Sequence, residues 1–318
     1  MIDFRYHVVS LASVLIALAV GIVLGAGPLK EGISDSLNQQ VTSLRAEKAD
    51  LRSELEAAQS TVKVQENFAD AQLSRMVAGR LADRSITLVA LPGTADALLS
   101  DTEDTLGAAG ATLIGPIDLP QAWTDPSEAA ASTRSQLAAQ LAPTLGLAED
   151  ASLDAVLGTV LLAKLPATPD DQTNSISEIA RQAAWNTLAD AGLVSGVLPT
   201  DRGSLVVVLS PATAATTATT STDTAAPYAA QAKLVAALDD ASDGSVIVGQ
   251  VDPAAADSSS LIAAARDASG VRQRVSTVDN AESAVGQAST VGALVEQLAG
   301  RSGQYGLAAG ARSAFAAG

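Results

Sequence analysis

Residues 8–29 read VVSLASVLIALAVGIVLGAGPL, 22 positions without a charge between His7 and Lys30. As a helix rising 1.5 Å per residue this stretch reaches about 33 Å, enough to cross a hydrocarbon core of about 30 Å. It predicts a membrane span, and no later segment matches it in length and apolarity. A cleaved secretory signal is the rival reading. Signal cores run to about 7–15 apolar residues and end in a small-x-small site. Here the run is longer, and its one candidate site, Gly25-Ala26-Gly27, is followed by an obstructing Pro28. Arg5 and the terminal amine precede the span, while Lys30, Glu31 and Asp35 follow it. The positive-inside tendency therefore places residues 1–7 in the cytoplasm and the rest of the chain outside. Ala17, Gly21 and Gly25 recur every four residues, a small-xxx-small face on which two helices could approach closely.

Working outward, residues 33–82 carry apolar side chains at intervals of three and four. With Leu37, Leu44, Leu51 and Ala58 at d, the a positions are Ser34, Val41, Lys48, Leu55 and Val62. About four heptads predict a coiled coil whose seam comprises Leu37, Val41, Leu44, Leu51, Leu55 and Val62. Glu47 at g and Arg52 at the following e form the pairing that links two parallel chains, so the expected partner is a second copy in a parallel homodimer. A lone amphipathic helix lying on its own domain is the alternative. Lys48 and Ala58 leave a higher parallel oligomer open.

From Ser85 the character changes. Residues 85–91 form a short apolar run stopped by Pro92-Gly93, 95–108 read as a helix, and 111–114 as a second strand. Residues 124–192 read as mainly helical, and 193–198 and 205–209 as strands. The low-complexity run 211–227 has too few large apolar groups to bury and is expected to be a mobile loop. Helix 228–239, strand 245–251, helix 258–268, strand 271–278 and helix 281–299 follow. Strands alternating with helices predict an α/β fold, a three-layer domain over 85–300 with a mostly parallel sheet. Residues 301–318 are expected to be a flexible tail.

Net charge is −16, and from Ser85 onward 10 basic residues face 25 acidic ones. Phosphate binding needs a basic face, so nucleic acid is not an expected partner. The chain has no cysteine, one histidine (His7) and two methionines (Met1 and Met76). That removes disulfides, cysteine nucleophiles, thiolate metal sites and, beyond the span, any Ser-His-Asp triad. No catalytic residue, cofactor or metal ligand set is predicted.

Other motifs resolve into structure. Leu91-Pro92-Gly93-Thr94 lacks phosphate-loop spacing and reads as a strand-to-helix turn. The 239–244 run DDASDG starts like a calcium loop, but its third position is Ala241 and its twelfth is Gln250, so it reads as a helix C-terminal turn. Trp123 and Trp185 are expected in the core. Ser276, Thr277 and Asp279 fall at the C-terminal end of a predicted strand, where α/β sheets place ligands. With Arg301 and Tyr305 of the polar run 300–306, they are candidates for a small polar pocket or partner edge, against a reading of simple capping plus a glycine-rich tail.

The run YHVVSLASVLIALAVGIVLGAG, the leucine-spaced helix, Asn67-Phe68, the strand end Ser276-Thr277-Val278-Asp279 and the terminal Gly303-Gln304-Tyr305-Gly306 together resemble the MctB family of mycobacteria and corynebacteria. The likeness covers essentially the whole chain. It implies an actinobacterial envelope protein linked by family name to copper transport or pore formation in the outer membrane. Related proteins under the name SteB imply a role in cell separation and peptidoglycan hydrolase control. Soft copper sites use thiolate, thioether or imidazole ligands, and beyond the span only Met76 is of that kind. One apolar helix with only Ser10 and Ser13 as polar groups describes an anchored, dimeric scaffold engaging envelope or cell-division proteins better than it describes a channel. Copper transport is the alternative, and an enzyme using carboxylates is the third reading.

Overall fold

A computed structural model describes residues 4–26, 28–165, 176–213, 222–253 and 260–318. The chain divides into two compact units that meet between Gln65 and Glu66.

The first unit is helical. Helix α1, Phe4–Ala26, contains the apolar window Phe4–Gly25, the one helix among the described residues long and apolar enough to cross a membrane. Every side chain of that window is exposed. Helix α2, Pro28–Val77, runs 50 residues, about 75 Å at 1.5 Å each. Residues 37–68 of it are exposed at every position. Its composition explains its length: glutamate, glutamine, lysine, arginine, alanine and leucine dominate, and glycine and proline fall only in its first turns.

The second unit is built on a sheet. After the last turns of α2 come β1 (Ser85–Ala90), α3 (Asp96–Ala108), β2 (Thr112–Asp118), α4 (Glu128–Leu141), α5 (Leu153–Leu161) and α6 (Glu178–Asp190). Then follow β3 (Leu205–Leu209), α7 (Thr222–Asp240), β4 (Ser245–Val248), α8 (Leu261–Asp267), α9 (Ser269–Arg272), β5 (Ser276–Val278), α10 (Ala284–Leu298) and β6 (Gln304–Tyr305). The six strands lie in the order β2-β1-β3-β4-β5-β6, every neighbouring pair parallel. The register runs Ile86↔Leu205, Val206↔Ser245, Val246↔Ser276 and Thr277↔Gln304.

Strand β3 shows why the sheet needs helices on both sides. All five of its residues are buried. Val206 and Val208 join one core with α4 to α8, and Leu205, Val207 and Leu209 join the other with α3, α10 and the end of α2. Alternate side chains point to opposite faces, so a continuous apolar run demands cover twice. Trp123 and Trp185 are buried in the first core.

The strand and helix expectations hold for most of this unit, with four differences. Residues 193–198 form no strand: Leu193, Val194 and Leu198 are buried in the first core, but Gly192 and Gly196 take left-handed φ values of 70° and 85°, which break an extended run. Of the expected loop 211–227, Thr222 to Pro227 open α7, with Pro227 inside the helix, and 214–221 lie outside the described residues. The expected strand 271–278 is extended only from Ser276. Val271 and Val275 instead close helical turns, Val275 N–H donating to the Val271 carbonyl at 2.8 Å. The start of helix 258–268 also lies partly outside the described residues, as do residues 1–3.

The fourth difference is the tail. The 301–318 segment is packed where flexibility is expected. It adds β6 to the sheet, buries Tyr305, Ala308 and Ala316, and ends with Arg80 donating to the Ala317 carbonyl at 2.9 Å. It lies close on its neighbours: a Cβ on Gly292 of α10 would stand 2.5 Å from the Ala316 carbonyl oxygen.

Candidate functional site

The strand order reverses between β1 and β3, the switch point where sheets of this kind open a ligand crevice. Here it is closed. Thr94 Oγ1 donates to the carbonyls of Leu91 at 2.8 Å and Leu209 at 3.0 Å, tying together the chain ends that would form the walls. Leu91 to Thr94 is the plain turn its sequence describes.

The candidate residues at the other side of the sheet fall into three places. Thr277 and Asp279, with the carbonyl of Tyr305, surround the guanidinium of Arg266 from α8. Arg266 Nη1 stands 2.8 Å from Asp279 Oδ2, its Nε donates to Thr277 Oγ1 at 2.9 Å, and its Nη2 donates to the Tyr305 carbonyl at 2.8 Å. A further bond reaches the Ala309 carbonyl at 3.0 Å. Asp279 accepts in addition from the backbone N–H of Leu307 at 2.7 Å and of Ala308 at 3.1 Å. The pair is covered, Arg266 being 3% and Asp279 1% exposed. Burial pushes the Arg266 guanidinium below its ordinary pKa, and the Asp279 charge acts against that.

This is a lock, with no open pocket. A buried ion pair offsets its desolvation only when its remaining donors and acceptors are also used, and here both Asp279 oxygens and all three Arg266 nitrogens are engaged. Gly306 completes it: with φ 123° it passes so close to Asp279 that a Cβ would overlap the carboxylate. The strand end Ser276 to Asp279 and the run Gly303 to Gly306 are therefore one physical unit, the first strand clasping the second.

Ser276 lies at the start of β5, where its Oγ accepts from Gln297 Nε2 at 2.9 Å and from the Gly303 N–H at 3.2 Å. The Tyr305 hydroxyl donates to Glu296 on α10, and burial with this bond raises its pKa far above the phenol range. Arg301 lies on the Ser276 side, and its charge reaches Tyr305. It is exposed and lines a separate cleft of about 300 Å³ with Lys164, Asp239, Asp240, Asp243 and Arg274, at the N-terminal ends of β4 and β5. There the 239–244 run is the C-terminal turn of α7. Asp239 accepts from Ser245 Oγ at 2.7 Å, Arg274 pairs with Asp240, and Asp243 Oδ2 accepts from the Leu165 N–H at 3.0 Å.

Arg266 is the residue that sequence reasoning missed. Its signal lay in its spacing: it follows Ile262 by four residues, on the apolar face of a helix whose Leu261, Ile262 and Ala265 are buried. A charge on that face demands a buried counter-charge.

Further clefts carry carboxylates, and in two of them burial raises a carboxyl pKa. One of about 410 Å³ lies at the C-terminal ends of β3 and β4, lined by Thr213, Gln250, Asp252 and Glu282, whose pKa is raised by burial. The other, about 510 Å³ between α4 and α5, contains Asp154, which accepts from Trp123 Nε1 at 2.8 Å and whose pKa burial raises. Among the described residues no three histidine, cysteine or acidic side chains are grouped to share a metal ion.

On the helical unit, Ala17, Gly21 and Gly25 share one face of α1, and a Cβ at either glycine would meet nothing within 4 Å. The seam residues Leu37, Val41, Leu44, Leu51, Leu55 and Val62 are all exposed on α2.

With this architecture in place, the comparisons are informative. Residues 1–315 match the family described as "Copper transport outer membrane protein, MctB". Proteins named "Copper transporter MctB" from Mycobacterium tuberculosis and Mycobacterium bovis are 26% identical over 324 residues, and that from Mycobacterium leprae is 28% identical over 344. In each case 98% of this chain and 98% of the relative are covered. A match that runs from the apolar helix to the clasped C-terminal strand places the chain in the MctB family.

Proposed function

We propose that this protein takes part in copper transport at the cell envelope, and that its part is that of a membrane-anchored scaffold. The observation that carries this reading is the end-to-end correspondence with relatives named copper transporters, which leaves neither chain with an unmatched domain. In this reading α1 crosses the membrane with its N-terminus in the cytoplasm and the acidic sheet domain outside. Copper is cargo that other components ligate. The chain's own soft ligands are His7 and two methionines, too few for a thiolate, thioether or imidazole cage. The domain has no catalytic part in the process and binds no nucleic acid.

The exposed seam of α2 favours the same scaffold acting as a parallel homodimer that holds other envelope proteins together, including those of cell separation or peptidoglycan remodelling. The test is cell-associated copper after a copper challenge in a strain lacking the chain. Copper is expected to rise and to return to the parental level when the full chain is restored; an unchanged content contradicts the transport role. Copper flux through vesicles holding this chain alone, absent from mock vesicles, would make it a conduit and contradict the scaffold.

A further inference from the structure

We propose that the occupant of the α2 seam is one second copy of this chain, aligned parallel and in register, and that the contact stops at Val62. The proposal rests on the dimeric scaffold described above and specifies its contact. Three observations carry it.

The first is the choice of residues at a and d. Val41 and Val62, two of the three apolar a residues beside Leu55, are β-branched, and Leu37, Leu44 and Leu51 fill three of the four d positions, the combination that favours two strands. All are exposed on α2.

The second is charge. Glu47 and Glu54 occupy g, while Arg45 and Arg52 occupy e. In a parallel pair each g position faces the following e of the other helix, so Glu47 meets Arg52. An antiparallel pair sets g against g and e against e, carboxylate on carboxylate and guanidinium on guanidinium. Exposed ion pairs add little strength, so the charges select direction. Lys48 at a then lies next to Glu47 of the second copy. A displaced register would move its ammonium against Val41 or Leu55, so it penalises slippage.

The third is where the pattern ends. Continuing the heptad, the next d positions are Gln65 and Gln72. The apolar side chains that follow serve the chain's own sheet domain, Val77 being fully buried in its core and Leu73 packed against it. The last turns of α2 are thus committed within the chain, and the second copy has the turns before them.

The chain lacks cysteine, so single cysteines report the contact without background. Leu44→Cys, Leu51→Cys and Val62→Cys test the seam, Ala57→Cys the back of the helix, and Met76→Cys the second a position beyond the proposed end. Each full-length variant is oxidised with iodine in its membrane, and the mass of the purified chain is measured by light scattering. The three seam variants are expected to form disulfide dimers about tenfold faster than Ala57→Cys or Met76→Cys, because a disulfide needs Cα atoms within about 7 Å. A mass of two chains is expected throughout. Met76→Cys linking as fast as Leu51→Cys overturns the stop at Val62. A two-chain mass without linkage at Leu44 and Leu51 overturns the seam while leaving a dimer, and a larger mass overturns the two-stranded contact. A one-chain mass overturns this proposal together with the dimeric scaffold.

Discussion

Leu44 and Leu51 stand on α2 with 63% and 59% of their surface open, whereas Leu88 and Leu205 in the sheet are wholly covered. The residue type is the same; what differs is the source of cover. In the sheet, alternation sends each side chain to one of two faces, and helices of the same chain close both. On α2 a heptad gathers the leucines onto one stripe, and residues 37–68 are exposed at every position. An isolated helix gains most of its stability from packing such a stripe. The leucines of the sheet are covered from within the chain, and those of α2 are the stripe on which the proposed second copy would pack.

The comparison breaks first at the C-terminal clasp. Deleting residues 304–318 removes β6, strips Arg266 and Asp279 of their backbone partners and uncovers α10 around Gly292. Loss of cooperative thermal unfolding of the full chain, followed by circular dichroism, is the expected outcome. A domain that melts unchanged would return these residues to the role of a loose tail.

Next in size is the ion pair inside the clasp. Arg266→Met leaves the Asp279 carboxylate buried without its counter-charge, a loss of about 3–5 kcal/mol. For a domain of this size the melting temperature should fall by roughly 6–20 °C. Adding Asp279→Leu removes the orphaned charge and should recover part of the loss. A single variant as stable as the wild type would mean that water reaches the site.

Leu44→Asn with Leu51→Asn sharpens the contrast from the other side. It should halve the molecular mass in solution and leave the melting of the sheet domain where it was, because neither side chain touches that core. A domain that melts earlier would show that the helix supports it.

The smallest effect is electrostatic. Burial holds the Asp154 carboxyl above its ordinary pKa, so the folded chain prefers the proton. Ionising it therefore subtracts stability as pH rises through and just above the normal carboxylate range. Asp154→Asn keeps an acceptor for Trp123 and should be more stable than the wild type at pH 7, the difference vanishing near pH 3. A gap that stays constant with pH would contradict the assignment.

The sequence made some of this plain and hid the rest for physical reasons. Residues 86–90 and 205–209 could be read as strands because burial on both faces requires uninterrupted apolar residues. The six-residue run 193–198 has similar apolarity, and it misled because a glycine in the left-handed region breaks a strand without altering hydropathy. Strand β6 was hidden because its two residues, Gln304 and Tyr305, are polar and spend their polarity on Glu296 and the Arg272 carbonyl. By sequence Ser276, Thr277, Asp279 and Tyr305 read as candidates for a polar pocket or partner edge, and all four are buried. That Thr277 and Asp279 close on an ion pair depended on Arg266, ten residues before Ser276, which only the fold brings to them. Arg301, grouped with them by sequence proximity, lies at the N-terminal end of β5 on the Ser276 side, away from the Arg266–Asp279 pair.

The most direct test joins the two units in the cell. A strain lacking the chain is supplied with either the wild type or Leu44→Asn/Leu51→Asn at equal membrane levels, and cell-associated copper is measured after a copper challenge. The account predicts that the wild type lowers copper to the parental level while the seam variant leaves it raised. Equal rescue by a variant shown to be monomeric would contradict it.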